Sequence, residues 1–222
     1  MKKIFTFLLL LTTLCISHHV YSQRIYGALS AGMNLTQVDG DEIYGYNHVG
    51  LNIGPSVIIP FTRDRKWTVT LELQYSRLGS YQKYPDVDTL PRPYYRLNLD
   101  YATIPVLVHF VDKKVVAAGV GFSYGQLVDV KEWEHGVRTQ TTLQGPYKKN
   151  DIDILADVKI RLWQRLWFNF RYAYSVARIR NRHYSNTYQT WDRKQYNNVL
   201  TFRFTYVFNE PIFAKITEKK GK

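Results

Sequence analysis

Asp153, Asp157, Lys159 and Arg161 recur at even spacing within one apolar stretch. On a β-strand, side chains two and four apart share a face, so all four project to the same side. Arg171 and Arg203 hold the equivalent polar positions in two later stretches, and Glu72 does so in an earlier one. Such a set supports either a proton or ion path or a network of mutually paired charges, because a buried charge without a partner is very costly. We expect Glu72, Asp157, Lys159, Arg171 and Arg203 to form a structural charge network, with Glu72 reaching the others across an enclosed space. Ser123, His109 and Glu72 have the residue types of a nucleophilic trio, but nothing in their spacing aligns them, and no catalytic residue is expected.

Metal chemistry finds little footing. After residue 22 the histidines are His48, His109, His135 and His183, with no pair at ligand spacing, and the only cysteine is Cys15. Asp39-Gly40-Asp41-Glu42 lacks the further ligands of a calcium loop and suits a turn. No cofactor or metal site is expected. Two polar segments, about 80–97 and 178–198, interleave rings with arginines, and Tyr94, Tyr95, Arg96, Tyr188, Trp191 and Arg193 are the recognition candidates within them. Tyr, Trp and Arg dominate binding hot spots. The alternative for these loops is a solvated surface whose arginines meet lipid phosphates.

The elements that must position these residues are strands. Eight alternating stretches occur: Tyr26 to Leu35, Val49 to Phe61, Trp67 to Ser76, Asn98 to Val111, Val115 to Asp129, Ile152 to Leu162, Leu166 to Ser175, and Val199 to Phe208. In the last, Leu200, Phe202, Phe204, Tyr206 and Phe208 oppose Thr201, Arg203 and Thr205. In the fifth, Gly119, Gly121, Ser123 and Gly125 leave one face nearly bare, which gives room for long side chains from elsewhere. Pro105 inside the fourth predicts a local bulge. The connections alternate between long and short along the whole chain.

The 222 residues, 45% hydrophobic, suit one domain. Met1-Lys2-Lys3 and the apolar run from Ile4 to Ile16 read as an export signal, cleaved near Gln23. The expected division is a signal peptide over 1–22, a barrel over 23–210 and a basic tail over 211–222. Removing Lys2 and Lys3 lowers the net charge from +12 to +10. In an exported protein that excess points to anionic lipid or glycolipid rather than nucleic acid.

No later apolar segment approaches the roughly 20 residues of a membrane helix, so a membrane span must be made of strands. Two barrels fit the alternation. A soluble ligand-binding barrel of the lipocalin type would turn its apolar faces inward; a membrane barrel inverts them. Inward aromatics from the last two strands would crowd one sector of the lumen, whereas outward ones face lipid, with Trp67, Trp163 and Trp167 near the interfaces. The expected fold is therefore all-β: an eight-stranded antiparallel up-and-down transmembrane barrel with four long extracellular loops and three short periplasmic turns. Eight strands enclose a lumen that side chains fill, so a wide pore is not expected.

Ala28-Leu29-Ser30-Ala31-Gly32-Met33-Asn34-Leu35, Val38-Asp39-Gly40-Asp41 and Gly45-Tyr46-Asn47-His48-Val49-Gly50-Leu51-Asn52-Ile53-Gly54 resemble the opening of the PorT-like outer-membrane β-barrel proteins. Leu71-Glu72-Leu73-Gln74-Tyr75-Ser76, Ala102-Thr103-Ile104-Pro105-Val106-Leu107 and Arg171-Tyr172-Ala173-Tyr174-Ser175 are similar to that family too. The resemblance implies an eight-stranded barrel in a Gram-negative outer membrane, with no catalytic or binding residues to carry over. The role it leaves is structural, adhesive or accessory to a larger envelope complex. Its expected partners are outer-membrane lipid and lipopolysaccharide, with other envelope or secretion-apparatus proteins as further candidates and no nucleic acid. An outer-membrane enzyme or a selective small-solute or ion transporter is the competing class.

Overall fold

The structure, a computed structural model, describes residues 25–83, 94–185 and 189–209, except for the side chains of Lys83, Tyr94 and Ser185. The expected signal and basic tail lie outside those residues. The strands are β1 (Tyr26–Asp39), β2 (His48–Pro60), β3 (Trp67–Glu72), β4 (Gln74–Lys83), β5 (Tyr94–Asp112), β6 (Val116–Glu134), β7 (Val137–Arg138), β8 (Asn150–Trp163), β9 (Leu166–Ser175), β10 (Arg180–Ser185) and β11 (Thr190–Val207). Taking β3 and β4 as one stave, eight staves pair antiparallel with their neighbours in sequence, and β11 returns to β1. The seam runs from Ala28 opposite Val207 to Asp39 opposite Tyr196. Closure matters because hydrocarbon offers no partner for an unpaired backbone group.

Adjacent residues show which way the barrel faces. Arg203 is 1% exposed and Phe204 is 52% exposed. Leu73, Val120, Phe122, Ile154 and Leu162 likewise point outward, while Glu72, His109, Asp157 and Arg171 are buried inside. A soluble barrel with that much exposed apolar surface would aggregate; in a bilayer the same band faces lipid. Ring pairs tie neighbouring staves together on this outer face: Phe168 with Phe204 at 5.6 Å and Phe170 with Phe202 at 5.2 Å. The inverted reading of the alternation therefore holds, and the lipocalin-type reading does not.

Three details differ from the sequence expectation. The register of β3 and β4 against β5 runs uninterrupted past Pro105, from Leu71 opposite Val106 to Gln74 opposite Thr103. Pro105 and Pro55 flank the break between β3 and β4 from either side; prolines donate nothing to a ladder, so pairing lapses there without a shift. The bulge of β5 and β6 lies instead between Asp100 and Tyr101, leaving Val128 extra in β6. Trp167 turns inward, buried against Tyr26, Ala28, Ala117 and Val207, whereas Trp67 and Trp163 face outward. Finally, β4, β5, β6 and β11 extend past their expected ends, and β10 pairs with β11 as a hairpin where only a loop was expected.

The bare face of β6 is filled from β5. A side chain at Gly119 would meet the His109 ring 2.5 Å away, and one at Gly121 would meet Leu107 at 2.9 Å. These glycines let His109 reach the middle of the lumen.

Candidate functional sites in the lumen and at the rim

Six staves deliver the mid-lumen cluster. Arg171 on β9 grips Glu72 on β3 with both terminal nitrogens, each 2.9 Å from a carboxylate oxygen. Its Nε donates to Asp157 on β8 at 3.0 Å. Arg203 on β11 donates to the same Glu72 at 3.0 Å, to Asn52 on β2 at 3.3 Å, and to Asn169 on β9. Asn169 in turn donates to Asp157 at 2.8 Å. Lys159 stands 3.8 Å from Asp157. His109 on β5 lies 2.7 Å from Asp157 and 3.2 Å from Thr70.

Glu72, Asp157, Lys159, Arg171 and Arg203 thus form one connected cluster. Bidentate arginine–carboxylate pairing is the strong form of this interaction and fixes geometry as well as charge. Three residues that the sequence did not assign to the network complete it: Asn52, Asn169 and His109. Each shares the inward parity of its strand, which was the available signal. Of the nominated trio, His109 bonds to Asp157, and Glu72 is occupied by two arginines.

Nearer the extracellular end, two further carboxylates lie two residues apart on β8. Asp151 accepts from Ser175 at 2.9 Å and Asn197 at 2.6 Å. Asp153 lies 3.2 Å from that same Ser175 hydroxyl.

At the rim, arginines and rings alternate. The Arg182 guanidinium lies 5.8 Å from the Tyr95 ring and 5.1 Å from the Tyr184 ring. Tyr184 stacks on Trp191 at 5.8 Å with planes 13° apart. Trp191 donates to Glu42 at 3.2 Å, and Arg193 lies 3.9 Å from Glu42. Tyr95 also donates to Glu132 at 2.8 Å, and Glu132 meets Arg180 at 3.2 Å. The ladder joins segments far apart in sequence. Arg96 stands apart, exposed, 5.7 Å from the Trp133 ring. Tyr188 and the side chain of Tyr94 lie outside the described residues.

The ladder borders an open cleft lined by Asp41, Glu42, Gln82, Glu134, Arg182 and Tyr184, among others. Burial pushes the Asp41 carboxyl up to about 6, against smaller opposing effects that include the Ile43 backbone N–H and the charge of Arg182. Among the described residues, no group of three or more His, Cys, Asp or Glu is placed to hold a metal ion.

The family match agrees with this architecture. The family described as outer membrane protein beta-barrel domain matches residues 23–181. Among solved structures, the chain is similar to Ail, the attachment invasion locus protein of Yersinia pestis, with 13% identity over 83% of this chain and 99% of Ail, at a TM-score of 0.47. It is also similar to Neisserial surface protein A, with 13% identity over 85% of this chain and all of that one, at a TM-score of 0.49. No curated protein sequence matches. With the family match spanning most of its length, the chain belongs to the outer-membrane β-barrel proteins and resides in a Gram-negative outer membrane.

Proposed function

We propose that this barrel conducts nothing and works through its extracellular rim, in adhesion or as an accessory to a larger envelope assembly. The observation that carries the reading is the ladder of Tyr95, Arg182, Tyr184 and Trp191 beside an open cleft. Rings held by stacking and cation–π contact lose little freedom on binding, which is the property of an interaction hot spot. The mid-lumen supports the closed half of the reading, because Arg171 links β9 to β3 across the barrel and Arg203 links β11 to the same Glu72. Exposed Arg96 and Arg193 are suited to phosphates of lipopolysaccharide beside the rim. The motifs around Gly32, Gly50 and Pro105 support placing the chain with the PorT-like branch of its family.

The test is recovery of envelope partners by native co-purification, from cells carrying the natural chain or a triple Arg96→Ala, Trp191→Ala, Arg193→Ala variant. A tenfold loss of a specific partner, with heat-modifiable migration on gels intact, is expected. Unchanged recovery would refute rim recognition. In planar bilayers the purified chain should show no channel events above background; discrete conductance would favour transport instead.

A further inference from the structure

The periplasmic end of the lumen is built unlike the rest. Tyr26, Ile58, Val111, Ala117, Trp167 and Val207 give it an apolar inner wall around a cavity. Its deep end is His109 and Lys159, and its mouth carries Arg65 and Lys114 from two of the short turns and Arg161 from the periplasmic end of β8. Every charged side chain lining the cavity is basic.

Lys159 is the unusual member. Its side chain is nine-tenths buried, yet its ammonium lies 3.8 Å from Asp157, beyond hydrogen-bond reach, and it makes no hydrogen bond among the described residues. An ammonium has three donors to satisfy. Asp157 is already taken by Arg171, Asn169 and His109. The mid-lumen cluster also holds three basic side chains, Lys159, Arg171 and Arg203, against two carboxylates, Glu72 and Asp157. One further negative charge beside Lys159 would balance it, and the cavity is the side from which that charge has access.

We propose that this cavity binds a monocarboxylate with an apolar chain, entering from the periplasm with its carboxylate on Lys159 and its chain along Trp167, Ile58 and Val207. The basic mouth attracts an anion by long-range field, and the apolar wall rewards burial of the chain. The same mouth disfavours the chain's own C-terminal segment as occupant, since that segment carries Lys215, Lys219, Lys220 and Lys222. This site is independent of the extracellular rim.

The test uses the full mature chain in lipid nanodiscs, titrated with octanoate brominated at its far end, whose bromine quenches tryptophan on contact. Saturable quenching is expected, and it should vanish in Trp167→Phe, which separates the cavity from lipid-facing Trp67 and Trp163. The methyl ester of the same probe should bind at least tenfold more weakly to the natural chain, and so should the acid to Lys159→Gln. Equal binding of acid and ester would overturn the proposal without any appeal to the variants. Quenching that never saturates, or that survives Trp167→Phe, would assign the signal to the bilayer and overturn it too.

Discussion

Two buried carboxylate pairs in one lumen are treated in opposite ways. In the middle, Glu72 and Asp157 lie among Arg171, Arg203 and Lys159, so each negative charge has cationic partners within 4 Å. Nearer the rim, Asp151 and Asp153 rely on neutral groups, chiefly Ser175 and Asn197. Ser175 has a single hydroxyl proton and so donates to one of the two at a time. The middle of the barrel is held by charge, the upper part by hydrogen bonds. The same residue type therefore stabilises one level and strains the other.

Breaking the charged level should cost most. Glu72→Gln removes the anion shared by Arg171 and Arg203, leaving Arg171 with Asp157 alone and the buried Arg203 guanidinium against neutral amides. Orphaned buried charges cost about 3–5 kcal/mol, so unfolding in urea from lipid vesicles should fall by that order. Unchanged stability would mean that water, not Glu72, compensates the arginines. The rim gives the next largest effect. Asp41 has its folded pKa raised to about 6 from 3.8, so protonation favours the folded loop. Its contribution is most favourable below the unfolded value of 3.8 and is lost as pH rises through about 6, a span of about 3 kcal/mol. Asp41→Asn should protect the loop amides of residues 39–47 from hydrogen exchange at pH 7 and flatten their pH dependence between 4 and 7.

The upper pair offers the opposite sign. Asp153→Asn replaces an acceptor by an amide that can donate to Asp151, relieving like-charge crowding. A gain of about 1 kcal/mol is expected in the same unfolding assay, and a loss would show that Asp153 has a cation partner in the membrane.

Much of this arrangement follows from parity alone. Alternation in β8, β9 and β11 places Asp157, Arg171 and Arg203 inward beside Asn169, and the same rule applied to Trp167 would have turned it inward too. Its aromatic character suggested an interface instead, and packing against Val207 and Tyr26 decided otherwise. Parity fails where a strand takes an extra residue. Beyond Val128 the bulge moves β6 by one, so Val130 and Glu132 face inward where simple counting selects Asp129 and Lys131. That shift places Glu132 against Tyr95 and Arg180, and no local pattern announces it. Partners across the lumen, such as Glu72 and Arg171, 99 positions apart, depend on the closure of the whole ring rather than on any stretch of sequence.

The smallest effect tests whether the rim is assembled for binding or for holding itself together. Trp191 contacts the fold mainly through its stack on Tyr184 and its bond to Glu42, and it is only half-buried. An aromatic pair of this kind contributes about 0.5–1.5 kcal/mol beyond burial. Trp191→Ala should therefore lower stability by no more than about 1 kcal/mol, far less than Glu72→Gln, because the charged level below carries the barrel. Trp191→Phe keeps the stack and loses only the indole N–H, so it should be nearly neutral. If Trp191→Ala instead unfolded the chain as readily as Glu72→Gln, the ladder would be part of the barrel's support, and the division between a charge-held middle and a recognition rim would fall.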